Sequence, residues 1–303
     1  MMKVLEGFIF VGLLAVFWSY INAEQENFML LAGPLTTSQT SPLDEDNAFT
    51  CEGPLPKQSR AHFLYIQSRG VTHFKVPLSW SRILPSGDPN QPHEDTVKCY
   101  KTLVQQLTES GIKPLLVLHH SAVPELFRAR YGGWENPLLV QMFEQYAGFV
   151  LSTFRDLVAT FITFSHLHEL NKVQLQNAVQ SHANVYNFHH QMFKGLHLSL
   201  GIRASDINSG SDQIGPKIME YVDFISLHLQ YNCKLETPLT EELSKLQIGS
   251  GQKPILMYQL TVKDCDGYAL EKILGVLKNK DHMMGCDITQ LFEKLDQEET
   301  LKR

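Results

Sequence analysis

Residues 97–119, VKCYKTLVQQLTESGIKPLLVLH, contain a helical pattern followed directly by a strand pattern. Apolar side chains recur at the three- and four-residue spacing of an amphipathic helix: Val97, Tyr100, Leu103, Val104 and Leu107. Gly111 is a typical residue for ending a helix, and the apolar segment Pro114–His119 has the length of a buried strand. This helix-then-strand unit predicts an α/β fold.

The same unit recurs along the chain. Seven further apolar segments have strand length: Phe28–Ala32, His73–Trp80, Phe161–Phe164, Leu196–Ile202, Val222–Leu229, Pro254–Tyr258 and His282–Ile288. Helical patterns separate several of them, one beginning at Asn136-Pro137 and another covering about residues 173–194. Eight alternating units predict a compact (β/α)8 TIM barrel with shortened βα loops and a site at the carboxyl ends of its strands. A doubly wound open sheet is the alternative; because no glycine-rich loop follows a strand, its nucleotide-binding version is disfavoured.

Composition and the amino terminus define the broad class of protein. The chain has 303 residues, 43% of them hydrophobic, and a net charge of −6 that argues against a nucleic-acid-binding surface. Lys3 precedes an apolar segment at 8–18, too short to span a bilayer, and Ala23 follows it. Residues 1–23 are therefore predicted to be a signal peptide and 24–303 a single barrel, with no membrane span. The expected location is extracellular or, within a longer chain, the apical cell surface.

The cysteines fit a secreted protein. None of the five has the CxxC spacing of a zinc site, so two disulfides and one free thiol are expected in an oxidising compartment. Sequence proximity favours Cys51 with Cys99 and Cys233 with Cys265, but does not fix the connectivity. Cys286 lies in an apolar stretch and is predicted to be a buried free thiol.

Several motifs resemble those of glycoside hydrolase family 1. They are SWSRILP at 79–85, YGGWEN at 131–136 and FITF at 161–164, in the family's order. The segments 27–28 and 32–36 resemble a multi-domain member whose first tandem repeat is short and degenerate. The resemblance implies a barrel, and an ancestral activity in which two carboxyl groups cleave β-glycosides, one as acid/base and one as nucleophile.

The resemblance also places the catalytic positions on residues that have lost the required groups. The acid/base glutamate aligns with His166, after Ser165 in place of an asparagine, and the nucleophilic glutamate aligns with Gln259, whose amide cannot form the ester intermediate. His120 keeps the histidine of a sugar-binding motif whose tryptophan and aspartate are lost. Lys75 replaces the arginine that neighbours the nucleophile and lacks its planar fork.

The sequence therefore predicts a secreted, catalytically degenerate barrel that serves as a folding or interaction module without a cofactor. Its expected partners are the catalytic repeats of a lactase-type protein or another secreted protein, and β-glycoside binding is expected to be weak or absent. One alternative is an active β-glycosidase of lactase type. The other is a degenerate barrel that binds growth factors or sugars.

Other polar and aromatic residues have simpler interpretations. His166 as a general base, and Glu169 as a replacement acid, are minor alternatives. The pairs His119-His120, His166-x-His168 and His189-His190 lack acidic residues at ligand spacing, so no metal is predicted. Asp287 is expected to cap a following helix. Trp80 and Trp134 are expected to pack under the βα loops. A buried helix face is expected to carry Tyr186, Phe188, Met192 and Phe193.

Overall fold

The strands occur where the sequence predicts them. A computed structural model describes residues 28–33, 51, 59–120, 123–204, 216–234, 239–249, 253–263 and 267–289. Its strands are β1 Met29–Ala32, β2 His73–Pro77, β3 Lys113–His119, β4 Thr160–Phe164, β5 His197–Ser199, β6 Gly201–Arg203, β7 Ile225–Asn232, β8 Ile255–Lys263 and β9 Met283–Asp287. All eight predicted strands are present, and Leu196–Ile202 is divided into β5 and β6.

The sheet closes into a barrel. All pairings are parallel, in the order β5-β4-β3-β2-β1-β9-β8-β7-β6. Only Leu200 separates β5 from β6, and β5 pairs with β4 while β6 pairs with β7. The two short strands are the halves of one barrel strand, so the barrel is built from eight strands. The (β/α)8 prediction is confirmed, and the open-sheet alternative is wrong.

A glycine allows the interrupted strand to pass close to β4. A Cβ atom at Gly201 would lie 2.5 Å from the carbonyl oxygen of Ser165, closer than real Cβ contacts come. Only a residue without a side chain fits there. The interruption therefore lies beside the residues that follow β4, where the resemblance predicts the acid/base position.

Helices surround the barrel. They are α1 Ser59–Ser68, α2 Trp80–Ile83, α3 Glu94–Glu109, α4 Glu125–Tyr131, α5 Leu138–Phe154, α6 Lys172–Met192, α7 Leu239–Gly249 and α8 Gly267–Lys278, with 3-10 turns η1 Gly133–Glu135, η2 Leu167–Glu169 and η3 Pro216–Tyr221. The predicted helices correspond to α3, α5 and α6. The links from β3 to α4 and from β4 to α6 are short.

Two apolar layers stabilise the fold. The larger lies between strands and helices, and a smaller one fills the barrel with side chains that include Leu115, Ile162 and Tyr258. The buried Trp80 ring stacks on Tyr146 with centroids 5.0 Å apart, in agreement with the predicted packing role.

The predicted buried face of α6 is wrong in part. Phe188 and Met192 are 63% and 64% exposed. The side that packs on the barrel carries polar residues as well as apolar ones: Leu175, Ala178, Ser181, His182, Val185 and His189. A prediction that uses apolar residues alone selects the wrong side of α6, because two of its buried residues are histidines.

The disulfide prediction is confirmed where it can be observed. Cys51 and Cys99 are joined across 48 residues of sequence, and Cys286 is a buried free thiol. Cys233 is also disulfide-bonded, whereas Cys265 and the predicted signal peptide lie outside the described residues. Within the described part of the chain, no helix is both long enough and apolar enough to cross a membrane.

Candidate functional site

Four histidines meet at the carboxyl ends of the strands. His120 follows β3, His166 follows β4, His168 lies in η2, and His228 belongs to β7. We call these four residues the histidine cluster. The His166 ring centroid lies 4.7 Å from that of His120, 5.6 Å from His168 and 5.2 Å from His228.

Ser165 connects two members of the histidine cluster. Its buried Oγ lies 2.9 Å from Nδ1 of His120 and 2.8 Å from Nδ1 of His166. A hydroxyl carries one hydrogen and can donate it once, so at least one of these imidazoles donates its own Nδ1–H to Ser165. The structure thus brings together three of the residues selected from sequence.

The histidine cluster extends from the surface into the barrel. His168 is exposed, His166 is half-buried and His228 is buried. Nε2 of His228 is buried, and it has no hydrogen-bond partner among the residues that the structure describes. Burial, followed by repulsion from His166 and His168 and then Lys75 and His120, lowers the pKa of His228 to about 2.

Lys75 and Asp287 form a buried ion pair beside the histidine cluster. Lys75 Nζ lies 2.5 Å from Asp287 Oδ2, 3.4 Å from the carbonyl oxygen of Tyr258 and 4.7 Å from the centroid of that ring. Burial opposes the charge of Lys75, but attraction from Asp287 and Tyr258 outweighs it and raises the pKa above its ordinary value. Lys75 therefore carries a positive charge, which Asp287 balances.

Asp287 also makes the local hydrogen bonds of a cap. Its Oδ1 accepts from the backbone N–H of Thr289 at 2.8 Å and from the Thr289 hydroxyl at 2.6 Å. The Gly33 N–H donates to Thr289 Oγ1 at 2.9 Å, which connects the ends of β1 and β9. These bonds fit the expected capping role of Asp287, and the rest of the helix that it is expected to cap lies outside the described residues. The sequence does not predict the ion pair, because its partners are 212 residues apart.

A bulge alters the predicted nucleophile region. Ser226 pairs with Leu256 and His228 pairs with Gln259, so β8 carries one extra residue at this point. Gln259 is half-buried, whereas the Tyr258 ring stacks on His228 with centroids 5.3 Å apart and contacts Lys75. Tyr258 thus makes the Lys75 contact that the resemblance assigns to position 259. Periodicity alone gives no indication of this bulge.

His119 has a structural role. Trp134 Nε1–H donates to His119 Nε2 at 3.0 Å, and both side chains are buried. Burial, then repulsion from His120, lowers the pKa of His119 to about 4, so it is neutral near pH 7. In the described residues, no group of three or more His, Cys, Asp or Glu side chains is arranged to hold a metal ion.

The site differs chemically from a pair of catalytic carboxyl groups. Retaining glycosidases hold two carboxyl groups about 5–5.5 Å apart. His166 and Gln259, the positions that the resemblance predicts for the two catalytic glutamates, carry an imidazole and an amide. Of the nearby described carboxylates, Asp287 is bound to Lys75 and Glu169 is exposed.

A closed parallel barrel with polar residues at the carboxyl ends of its strands defines the TIM-barrel class. The family model for Glycosyl hydrolase family 1 matches residues 61–238, and this chain belongs to that family. Among solved structures, an aphid myrosinase has a TM-score of 0.66 and 16% identity, with 87% of this chain and 88% of that chain covered. At that identity the similarity demonstrates the fold alone.

Two human proteins are related in sequence. Lactase/phlorizin hydrolase is 29% identical over 320 residues, which cover 97% of this chain and 16% of the relative. Klotho is 33% identical over 101 residues, which cover 33% of this chain and 10% of the relative. The chain thus matches only a small part of the length of each relative.

Proposed function

We propose that this chain is a catalytically inactive family 1 barrel that acts as a folding or interaction module in the secretory pathway. The observation that carries the proposal is that His166, which the resemblance aligns with the acid/base glutamate, is hydrogen-bonded to Ser165 and surrounded by other histidines. An imidazole there and an amide at Gln259 leave no carboxyl group for either role. Asp287 does not substitute, because Lys75 and Thr289 occupy its oxygens.

Hydrolysis of aryl β-glucosides and aryl β-galactosides tests the loss of catalysis. The purified chain is compared with His166→Ala and Gln259→Ala, and all three are expected to show only the rate of buffer. Turnover by the unmutated chain that His166→Ala or Gln259→Ala abolishes would contradict the proposal and favour the lactase-type β-glycosidase. Turnover that is unchanged in both variants indicates a contaminating enzyme. The proteins are then purified again until hydrolysis disappears or the rates of the unmutated chain and the variants differ.

The disulfide supports a secretory location. A Cys51–Cys99 bond persists in oxidising compartments and is rare in reducing ones. Together with the predicted signal peptide at 1–23, it favours an extracellular protein or, within a longer chain, one at the apical cell surface. The amount of protein in the medium, with and without residues 1–23, tests this location.

The folding role is supported by similarity to a much longer relative. The proposed partners are the catalytic repeats of a lactase-type protein, and co-expression with those repeats is expected to increase their secretion. Gly201→Val is the control, because its side chain would collide with the Ser165 carbonyl group and prevent native packing. Equal secretion with the native chain, the control and no chain would contradict this role and favour the alternative of a barrel that binds growth factors or sugars.

A further inference from the structure

The histidine cluster has features that an inactive scaffold does not require. Four imidazoles converge within one patch, and no described residue is hydrogen-bonded to the buried Nε2 of His228. Buried polar atoms are nearly always satisfied, so an unsatisfied one beside a polar cluster indicates a missing partner. We propose that the histidine cluster binds a small oxyanion, such as a carboxylate or sulfate group, together with protons.

The geometry supplies both a path and hydrogen-bond donors. His168 is exposed and its ring centroid is 5.7 Å from that of the buried His228, so the cluster opens to solvent on one side. A protonated imidazole has two N–H donors and no acceptor. Hydrogen bonds from such cations to oxyanions are shorter and stronger than those between neutral groups.

The charges around His228 favour an anion. His228 interacts electrostatically with His120, His166, His168 and Lys75, and its ring stacks on that of Tyr258. Its register partners in the sheet are Arg203 on β6 and Gln259 on β8. In the described residues, the carboxylate contacting this set is Asp287, and Lys75 already neutralises it. Protonation of the imidazoles therefore creates positive charge that a bound oxyanion would balance.

Proton linkage gives the sign of the pH dependence. The pKa of His228 is low because charging it beside other cations and away from water is unfavourable. A bound anion favours the charged forms and raises the pKa values of the histidines that it contacts. By reciprocity, the affinity for the anion rises as the pH falls.

This inference goes beyond the proposed function and does not depend on it. An active glycosidase could also bind an oxyanion here, and an inactive barrel could lack such a site. Failure of the anion experiment therefore leaves the hydrolysis result unchanged, and the reverse also holds.

Calorimetric titration of the full chain tests the proposal. Sulfate, acetate, glucuronate and neutral glucose are titrated at pH 5.5 and 7.5, at constant ionic strength and with EDTA present. We expect an oxyanion to bind at least ten-fold more tightly at pH 5.5, and glucose not to bind. Preference for sulfate identifies an inorganic oxyanion, whereas glucuronate binding more tightly than acetate identifies a sugar-borne carboxylate.

Matched variants locate the site. His166→Gln/His168→Gln is expected to reduce affinity at pH 5.5 at least ten-fold, and His168→Gln alone, at an exposed position, at least three-fold. His197→Gln is the control, because His197 is exposed at the amino end of β5, the opposite end of the barrel. Absence of oxyanion binding at pH 5.5, equal affinity at both pH values, or equal loss in His197→Gln would overturn the proposal.

Discussion

At the scale of single residues, the Lys75–Asp287 ion pair is expected to contribute strongly to the stability of the barrel. Both side chains are largely buried, with 14% and 8% of their surfaces exposed. Removing one partner of a buried pair leaves an uncompensated charge, which typically costs about 3–5 kcal/mol. We therefore expect Lys75→Met to lower the free energy of unfolding by about that amount in urea denaturation.

A double-mutant cycle separates the charge from packing. Lys75→Met/Asp287→Asn removes both charges while keeping a side chain that accepts from Thr289. The double variant is expected to be more stable than Lys75→Met alone, since no isolated carboxylate remains. If the losses of stability in Lys75→Met and in Asp287→Asn simply add up to the loss in the double variant, the two charges are not coupled.

The limits of sequence reasoning are also clear at this scale. The resemblance predicts that His166 and Ser165 belong to the site, and they meet, with His120, at the strand ends. Their position follows from topology, because parallel strands place all their carboxyl ends at one rim. His228 was not selected, because it lies within an apolar strand pattern and only the closed barrel brings it beside His166.

At the scale of elements, the interrupted barrel strand gives the sharpest prediction. Gly201→Ala would place a methyl group 2.5 Å from the Ser165 carbonyl oxygen, against backbone rather than a flexible side chain. We expect it to lower the free energy of unfolding by roughly 2 kcal/mol or more, as other backbone clashes do. Urea denaturation provides the measurement.

Gly275→Ala is the matched control. Gly275 lies in α8, and apart from its chain neighbours and the nearby backbone of that helix, no atom of the described residues comes within 4 Å of a Cβ built there. Alanine is favoured over glycine in a helix interior by about 0.5–1 kcal/mol, so this variant should be neutral or stabilising. Equal destabilisation by both changes would mean that the contact between Gly201 and Ser165 has no special role.

Element types were predictable, whereas details of register and facing were not. The strands could be predicted because a strand in a parallel barrel is buried on both faces and therefore forms a continuous apolar segment of sequence. The bulge in β8 moves Tyr258 to the position beside Lys75, and α6 buries His182 and His189 while exposing Phe188. Both outcomes depend on tertiary contacts that no local pattern encodes.

At the scale of the whole molecule, buried histidines link stability to pH. Burial is the largest cause that lowers the pKa values of His119 and His182 to about 4, whereas the pKa of an unfolded histidine is ~6.5. Between those values the unfolded state binds more protons. Stability is therefore fully present above about pH 6.5 and is lost progressively as the pH falls towards 4.

Chemical denaturation between pH 4 and 8 measures this dependence. Each such histidine contributes at most about 3 kcal/mol across the interval. His182→Asn is expected to flatten the curve, although it also lowers stability at pH 7. A free energy of unfolding that stays constant from pH 7 to pH 4 would contradict burial of neutral histidines.

We propose that this family 1 barrel has lost glycoside hydrolysis along with its pair of carboxyl groups. The most direct test is the rate of aryl β-glucoside and β-galactoside hydrolysis by the purified chain from pH 4 to 8, beside His166→Ala. We predict rates equal to buffer at every pH for both proteins. A bell-shaped pH profile that disappears in His166→Ala would reveal an essential acid and base and would contradict the account.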